Sequence, residues 1–73
     1  MVTQEIVDRI RDDYRTPKVI KVSRDFYKYM AWDFDRFEVK AVGNITERTF
    51  FVDYHKIPVE IDFTLQEGYK IEY

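Results

Sequence analysis

Thr49-Phe50-Phe51-Val52-Asp53-Tyr54-His55-Lys56-Ile57-Pro58-Val59-Glu60-Ile61-Asp62-Phe63 alternates apolar and polar residues almost without a break. Phe50, Val52, Tyr54, Ile57, Val59, Ile61 and Phe63 fall on one side of an extended chain. Phe51, Asp53, Pro58, Glu60 and Asp62 fall on the other. A period of two is the mark of a half-buried antiparallel sheet. The stretch predicts a hairpin of strands 48–54 and 57–63. With His55-Lys56 as a two-residue loop, Tyr54 faces Ile57, Val52 faces Val59 and Phe50 faces Ile61. His-Lys is not favoured chemistry for so tight a turn, and a wider loop is the alternative. Pro58 lacks an amide donor, which suits an edge or the outward side of a strand.

Working outward, Thr64 to Gly68 turns the chain, and Tyr69, Ile71 and Tyr73 belong to a last short strand. Upstream, residues 37–42 read as a strand closed by a turn at Gly43-Asn44. Ser23 reads as the cap of a helix running to about Asp35 or Arg36, preceded by a strand over 18–22. In that helix Phe26, Tyr27, Met30 and Phe34 share the inner face, whereas Tyr29 and Trp32 share another. Residues 3–14 read as a first helix. Thr3 caps it, Ile6, Val7, Ile10 and Tyr14 form its apolar stripe, and Pro17 follows its end. The order is α-β-α-β-β-β-β: a single α+β domain over 1–73, with a small antiparallel sheet of four to five strands packed on two helices. The other sheet face is left to solvent.

Six Phe, six Tyr and one Trp in 73 residues supply the bulk of so small a core. A domain of this size buries only roughly 60% of the surface its unfolded chain exposes. No cysteine is present, so disulfides and thiolate metal sites are excluded. A net charge of −2 with 36% charged residues argues against a general nucleic-acid binder. No apolar run approaches a membrane span, and MVTQEIVDRIRDD has no apolar signal core. A cytoplasmic protein is the expectation.

Nothing in the chain composes a recognisable catalytic set. His55 is the only histidine, and with Asp53 alone it falls short of a zinc site, so a solvated turn residue is the plainer reading. Asp33 and Asp35 could share a magnesium ion on a strand but not on a helix, where residues two apart point to different sides. Ser23, the only serine, is explained by capping, and no glycine-rich phosphate loop exists. No enzyme activity, cofactor or metal is expected. Arg15, Lys18, Lys21 and Arg24 form the densest basic cluster and are the nucleic-acid alternative. Asp53, Glu60 and Asp62, with Glu72, give an acidic sheet face that could meet a basic partner or simply keep the face soluble. Tyr29, Trp32 and Phe51 lie on the polar sides of their elements. Either they form a binding surface, or the second helix is rolled deeper into the core, or the first helix covers them.

The stretch Lys56-Ile57-Pro58-Val59-Glu60-Ile61-Asp62-Phe63-Thr64-Leu65-Gln66-Glu67-Gly68-Tyr69-Lys70-Ile71 resembles an ending of small uncharacterised phage and prophage proteins, and is similar to that of tailed-phage major capsid proteins. That pattern runs Gly, Ile or Val, Pro, an alternating strand, Asp, two variable residues, Leu, Pro and a short final strand. Lys56 stands where Gly is usual and Gln66 where Pro is usual. The resemblance implies a viral or prophage origin, hence the host cytoplasm, and carries over no catalytic residue. The reading of the whole is a protein-interaction module that binds a protein partner or forms a homo-oligomer, with Tyr29, Trp32, Phe51, Asp53, Glu60 and Asp62 as candidate contacts.

Overall fold

Helix α1 (Val2–Asp12) is followed by strand β1 (Val19–Val22), helix α2 (Arg24–Met30) and strands β2 (Phe37–Val42), β3 (Ile45–Val52), β4 (His55–Ile61) and β5 (Tyr69–Glu72). The structure, a computed structural model, describes residues 2–73, Val2 by its backbone only. The fold is α+β, with the element order read from the sequence. All five strands join in one sheet, ordered β2-β3-β4-β1-β5. Three pairings are antiparallel, but β1 runs parallel to β4, so the sheet is mixed rather than wholly antiparallel. The early strand β1 inserts between β4 and β5. A parallel neighbour requires a long crossover, which α2 and the two hairpins supply.

Both helices cover one sheet face. Ile6, Val7 and Ile10 of α1 and Met30 of α2 form a core with Ile20, Val22, Phe37, Phe50, Val52, Ile57 and Val59. The register explains the shared side: Phe37 lies opposite Phe50, Phe50 opposite Ile57, and Ile20 opposite Val59. Burying one such side chain contributes about 1.5–3 kcal/mol. Phe26 packs on Tyr69 with ring centroids 5.2 Å apart, and Tyr27 meets Phe37 edge-on at 5.7 Å.

Several sequence expectations are corrected. The β3–β4 turn is Asp53-Tyr54, not His55-Lys56, so Val52 faces His55 and Phe50 faces Ile57. Asp53 takes φ 53°, a left-handed conformation that Asp tolerates better than most residues. Gly43 opens the other hairpin turn in the same way, at φ 62°. The turn moves by two residues and each pairing by four; both shifts are even, so sidedness is preserved, because side chains alternate with a period of two. Tyr54 is thereby carried into the turn and Phe63 beyond the strand, and both are exposed.

Pro58 faces outward as expected, yet β4 is a central strand. The parallel ladder opens only at Ile20 and Val59, one residue past Pro58, where the missing donor is not needed. Tyr14 lies past the end of α1 and is exposed, not part of its stripe. Asp13 ends that helix locally by accepting the backbone N–H of Arg15 at 2.9 Å. Thr3 lies inside the first turn of α1 rather than at its cap, and its hydroxyl serves a distant carboxylate.

Candidate functional site

Helix α2 begins as the sequence indicates, with the Ser23 hydroxyl accepting the N–H of Phe26 at 3.1 Å. It stops at Met30 instead of running to residue 35 or 36. Ala31 N–H still reaches the Tyr27 carbonyl, but Trp32 bonds to Tyr29 and Asp33 to Met30, so the last bonds tighten to the i−3 pattern. The Asp33 carbonyl then accepts from both Arg36 and Phe37. The result is a tight turn from 31 to 36 folded around Asp33.

The first turn of α1 pins that turn in place. Thr3 donates its hydroxyl to the Asp33 carboxylate, and both residues are buried, 2% and 6% exposed respectively. Arg36 donates to Gln4 Oε1 at 2.9 Å, and Gln4 donates in turn to Asp8 at 2.9 Å. Gln4, Asp33, Asp35 and Arg36 line a depression beside this clamp. Asp33 is therefore a buried turn anchor rather than surface charge. Asp35 is exposed, and among the described residues no three His, Cys, Asp or Glu side chains converge as metal ligands.

Three aromatic side chains project from the end of α2 and this braced turn. Tyr29 is 64% exposed, Trp32 75% and Phe34 81%. Tyr29 and Trp32 thus lie outside the core: the second helix is not rolled deeper into it, and the first helix does not cover them. Phe34 was expected on its inner face. The early end of α2 reverses it, since a residue read as helical here belongs to the turn. The signal was present in Asp33, whose side chain competes with helical bonding and favours caps and turns.

The other candidate contacts are not gathered at this place. Phe51 is half-buried on the open sheet face, opposite Lys56. Glu60 is on the same open face, opposite Lys21 of β1. Asp53 sits in the β3–β4 turn, where Arg11 of α1 grips both carboxylate oxygens at 2.7 and 3.3 Å. That hydrogen bond holds the Asp53 carboxyl below its ordinary range. Asp62 closes a local turn by accepting the backbone N–H and hydroxyl of Thr64, which lowers its carboxyl likewise. The expected acidic face is thus dispersed: Asp53 and Asp62 serve turns, and Glu72 lies 3.3 Å from Lys21.

The basic cluster is also divided. Arg15 pairs with Asp13 at 3.0 Å and stacks over Tyr73, its guanidinium carbon 4.4 Å from the ring centre. Lys21 pairs with Glu72, whereas Lys18 and Arg24 are exposed. His55 is an exposed residue at the start of β4.

A second surface was not anticipated. Strand β4 pairs with β3 only from Thr49 to Val52, so residues 45–48 pair with β2 alone. The β2–β3 hairpin therefore extends past the sheet as a two-stranded ribbon. Val39, Val42 and Ile45 are exposed along it. Its base is tied down by Arg48, which donates to the Tyr27 hydroxyl at 3.0 Å.

No protein-family model matches the chain, and no curated protein or solved structure is found to be similar to it.

Proposed function

We propose that the chain is a protein-interaction module whose partner docks on Tyr29, Trp32 and Phe34. The observation that carries this reading is the combination of large exposed aromatics with a rigid seat. Tyr and Trp are favoured anchors in protein interfaces, because they bring much contact area for few rotatable bonds. Helix α2 carries Tyr29, and a turn fixed by Thr3–Asp33 and Arg36–Gln4 presents Trp32 and Phe34 at little further ordering cost. Binding rather than catalysis fits the dispersal of the titratable groups into turns and ion pairs. Nucleic-acid binding through Arg15, Lys18, Lys21 and Arg24 has less support, since Arg15 and Lys21 already face carboxylates. A phage or prophage source, and so a host protein as partner in the host cytoplasm, rests on the resemblance of residues 56–71 alone.

The test is affinity capture from lysate of the cell of origin, followed by direct titration of each captured protein. Replacing Trp32 and Tyr29 together by Ala should abolish one specific partner while leaving the melting temperature within a few degrees. Replacing Phe51 or Glu60 should not. A partner retained equally by the double variant would reject this surface.

A further inference from the structure

Strand β2 is one edge of the sheet, and every residue in it after Phe37 is exposed. Phe51 N–H donates to the Arg36 carbonyl at 2.7 Å, which sets the alternation of the β2–β3 ladder. Bonded pairs recur at every second residue, so Glu38, Lys40 and Val42 direct their backbone groups toward β3. Phe37, Val39 and Ala41 direct theirs outward. In agreement, Phe37 N–H reaches away from β3 to the Asp33 carbonyl at 2.9 Å. The N–H and C=O groups of Val39 and Ala41 are left facing outward, unpaired by any neighbouring strand.

We propose that β2 pairs antiparallel with β2 of a second copy of this chain, across a two-fold axis at Val39. The axis brings Val39 opposite its own counterpart, and the two exchange both backbone hydrogen bonds. Ala41 N–H of each copy meets the Phe37 carbonyl of the other. Glu38 then lies directly opposite Lys40 of the second copy, and Lys40 opposite its Glu38, at the closer, non-bonded positions of the ladder. Among the described residues neither Glu38 nor Lys40 takes part in an ion pair within the chain. Moving the axis by one residue would oppose Glu38 to Glu38 or Lys40 to Lys40. The outward-facing backbone groups would still meet there, because the pairing shifts by two residues, so charge alone selects the axis at Val39. The strand is thus self-complementary in charge at this register, and its outward backbone groups are free to form the ladder there.

The ribbon gives a second reason. Over residues 45–48 of β3 and their β2 partners there is no third strand, and isolated two-stranded ribbons are marginal in water. Pairing through β2 makes it four-stranded and joins two sheets into one, as an isologous contact requires. The opposite edge, β5, offers less: it has four residues, and its Glu72 is already engaged by Lys21. This contact is independent of the aromatic surface proposed above.

Sedimentation equilibrium over a wide concentration range tests the inference. The chain should pass from 9.0 kDa to twice that mass as concentration rises. Glu38→Lys and Lys40→Glu should each weaken the dimer about tenfold or more by opposing like charges. An equimolar mixture of these two variants should dimerise again, because the basic strand of one faces the acidic strand of the other. The double variant E38K/K40E should also dimerise. Val39→Pro removes an N–H that no bond within the chain uses, so circular dichroism should be kept while the dimer is lost. A wild-type chain that stays monomeric throughout overturns the proposal. So does a dimer that tolerates both Val39→Pro and Glu38→Lys, or a variant mixture that fails to restore it.

Discussion

Replacing Thr3 by Val removes one hydroxyl from the buried Thr3–Asp33 pair and keeps the volume nearly unchanged. The substitution leaves a carboxylate 6% exposed without the donor that faces it. Hydrogen bonds to charged groups contribute about 1.5–3 kcal/mol, and a buried acceptor left unmatched loses its compensation for desolvation. We take about 2 kcal/mol, which for a domain of this length lowers the melting temperature by roughly 8–16 °C. Asp33→Asn keeps an acceptor oxygen for the hydroxyl and should cost less, about 1 kcal/mol. Thermal and urea unfolding followed by circular dichroism would measure both, and the double variant would give the coupling. The two effects should be strongly non-additive, since both act on one contact. A Thr3→Val chain melting within about 2 °C of the wild type, or additive effects, would refute the claim that this contact anchors the 31–36 turn.

Phe50→Ala should destabilise the chain by about 3–5 kcal/mol, enough to abolish cooperative unfolding in a domain this small, whereas Tyr54→Ala should stay within about 0.5 kcal/mol; urea titration distinguishes them. Asp53, Asp13 and Asp62 have lowered folded-state pKa values, owing first to hydrogen bonds from Arg11, Arg15 and Thr64 respectively. Their contribution is present above the ordinary carboxylate pKa of about 4 and is lost as pH falls through the folded values. Urea midpoints should therefore drop below pH 4, and Asp53→Asn should flatten that drop. The Tyr69 hydroxyl is pushed up to about 12 by burial and by its hydrogen bond to Glu5. Here the sign is opposite: the contribution is whole below pH of about 10 and is lost as pH rises toward the folded value. Ultraviolet titration should show late ionisation from Tyr69, beside that of Tyr73, which burial also raises, and Tyr69→Phe should remove the latest component.

Local chemistry was legible where it acts alone. The Ser23 cap, the Gly43-Asn44 turn and strand β2 follow from residues within a few positions of each other. The stripe of Ile6, Val7 and Ile10 faces the core for the same reason. Sidedness survived even where pairing did not: Val52 and Val59 are buried although neither has the partner expected of it. What was hidden depends on distance along the chain. Helix α2 ends early at a turn built on Asp33, whose buried partner is Thr3, thirty positions away. Arg11 selects Asp53 from still further, and only that pairing reveals why a turn residue there is acidic. No periodicity announces that β1 will lie parallel to β4, nor that helix cover ends before the β2–β3 hairpin does. Tyr29 and Trp32 were legible as candidates because they break the amphipathic pattern, whereas Phe34 conformed to it and was missed.

The position of β1 has a consequence for synthesis. Both of its neighbours in the sheet, residues 59–61 and 69–72, are made long after it. Until the first of them exists, Ile20 and Val22 have no ladder on either flank, and until the second exists they have one on a single flank only. A nascent chain would therefore lack a complete native centre until almost its last described residue. Such dependence on remote partners slows folding and lengthens exposure to chaperones and proteases.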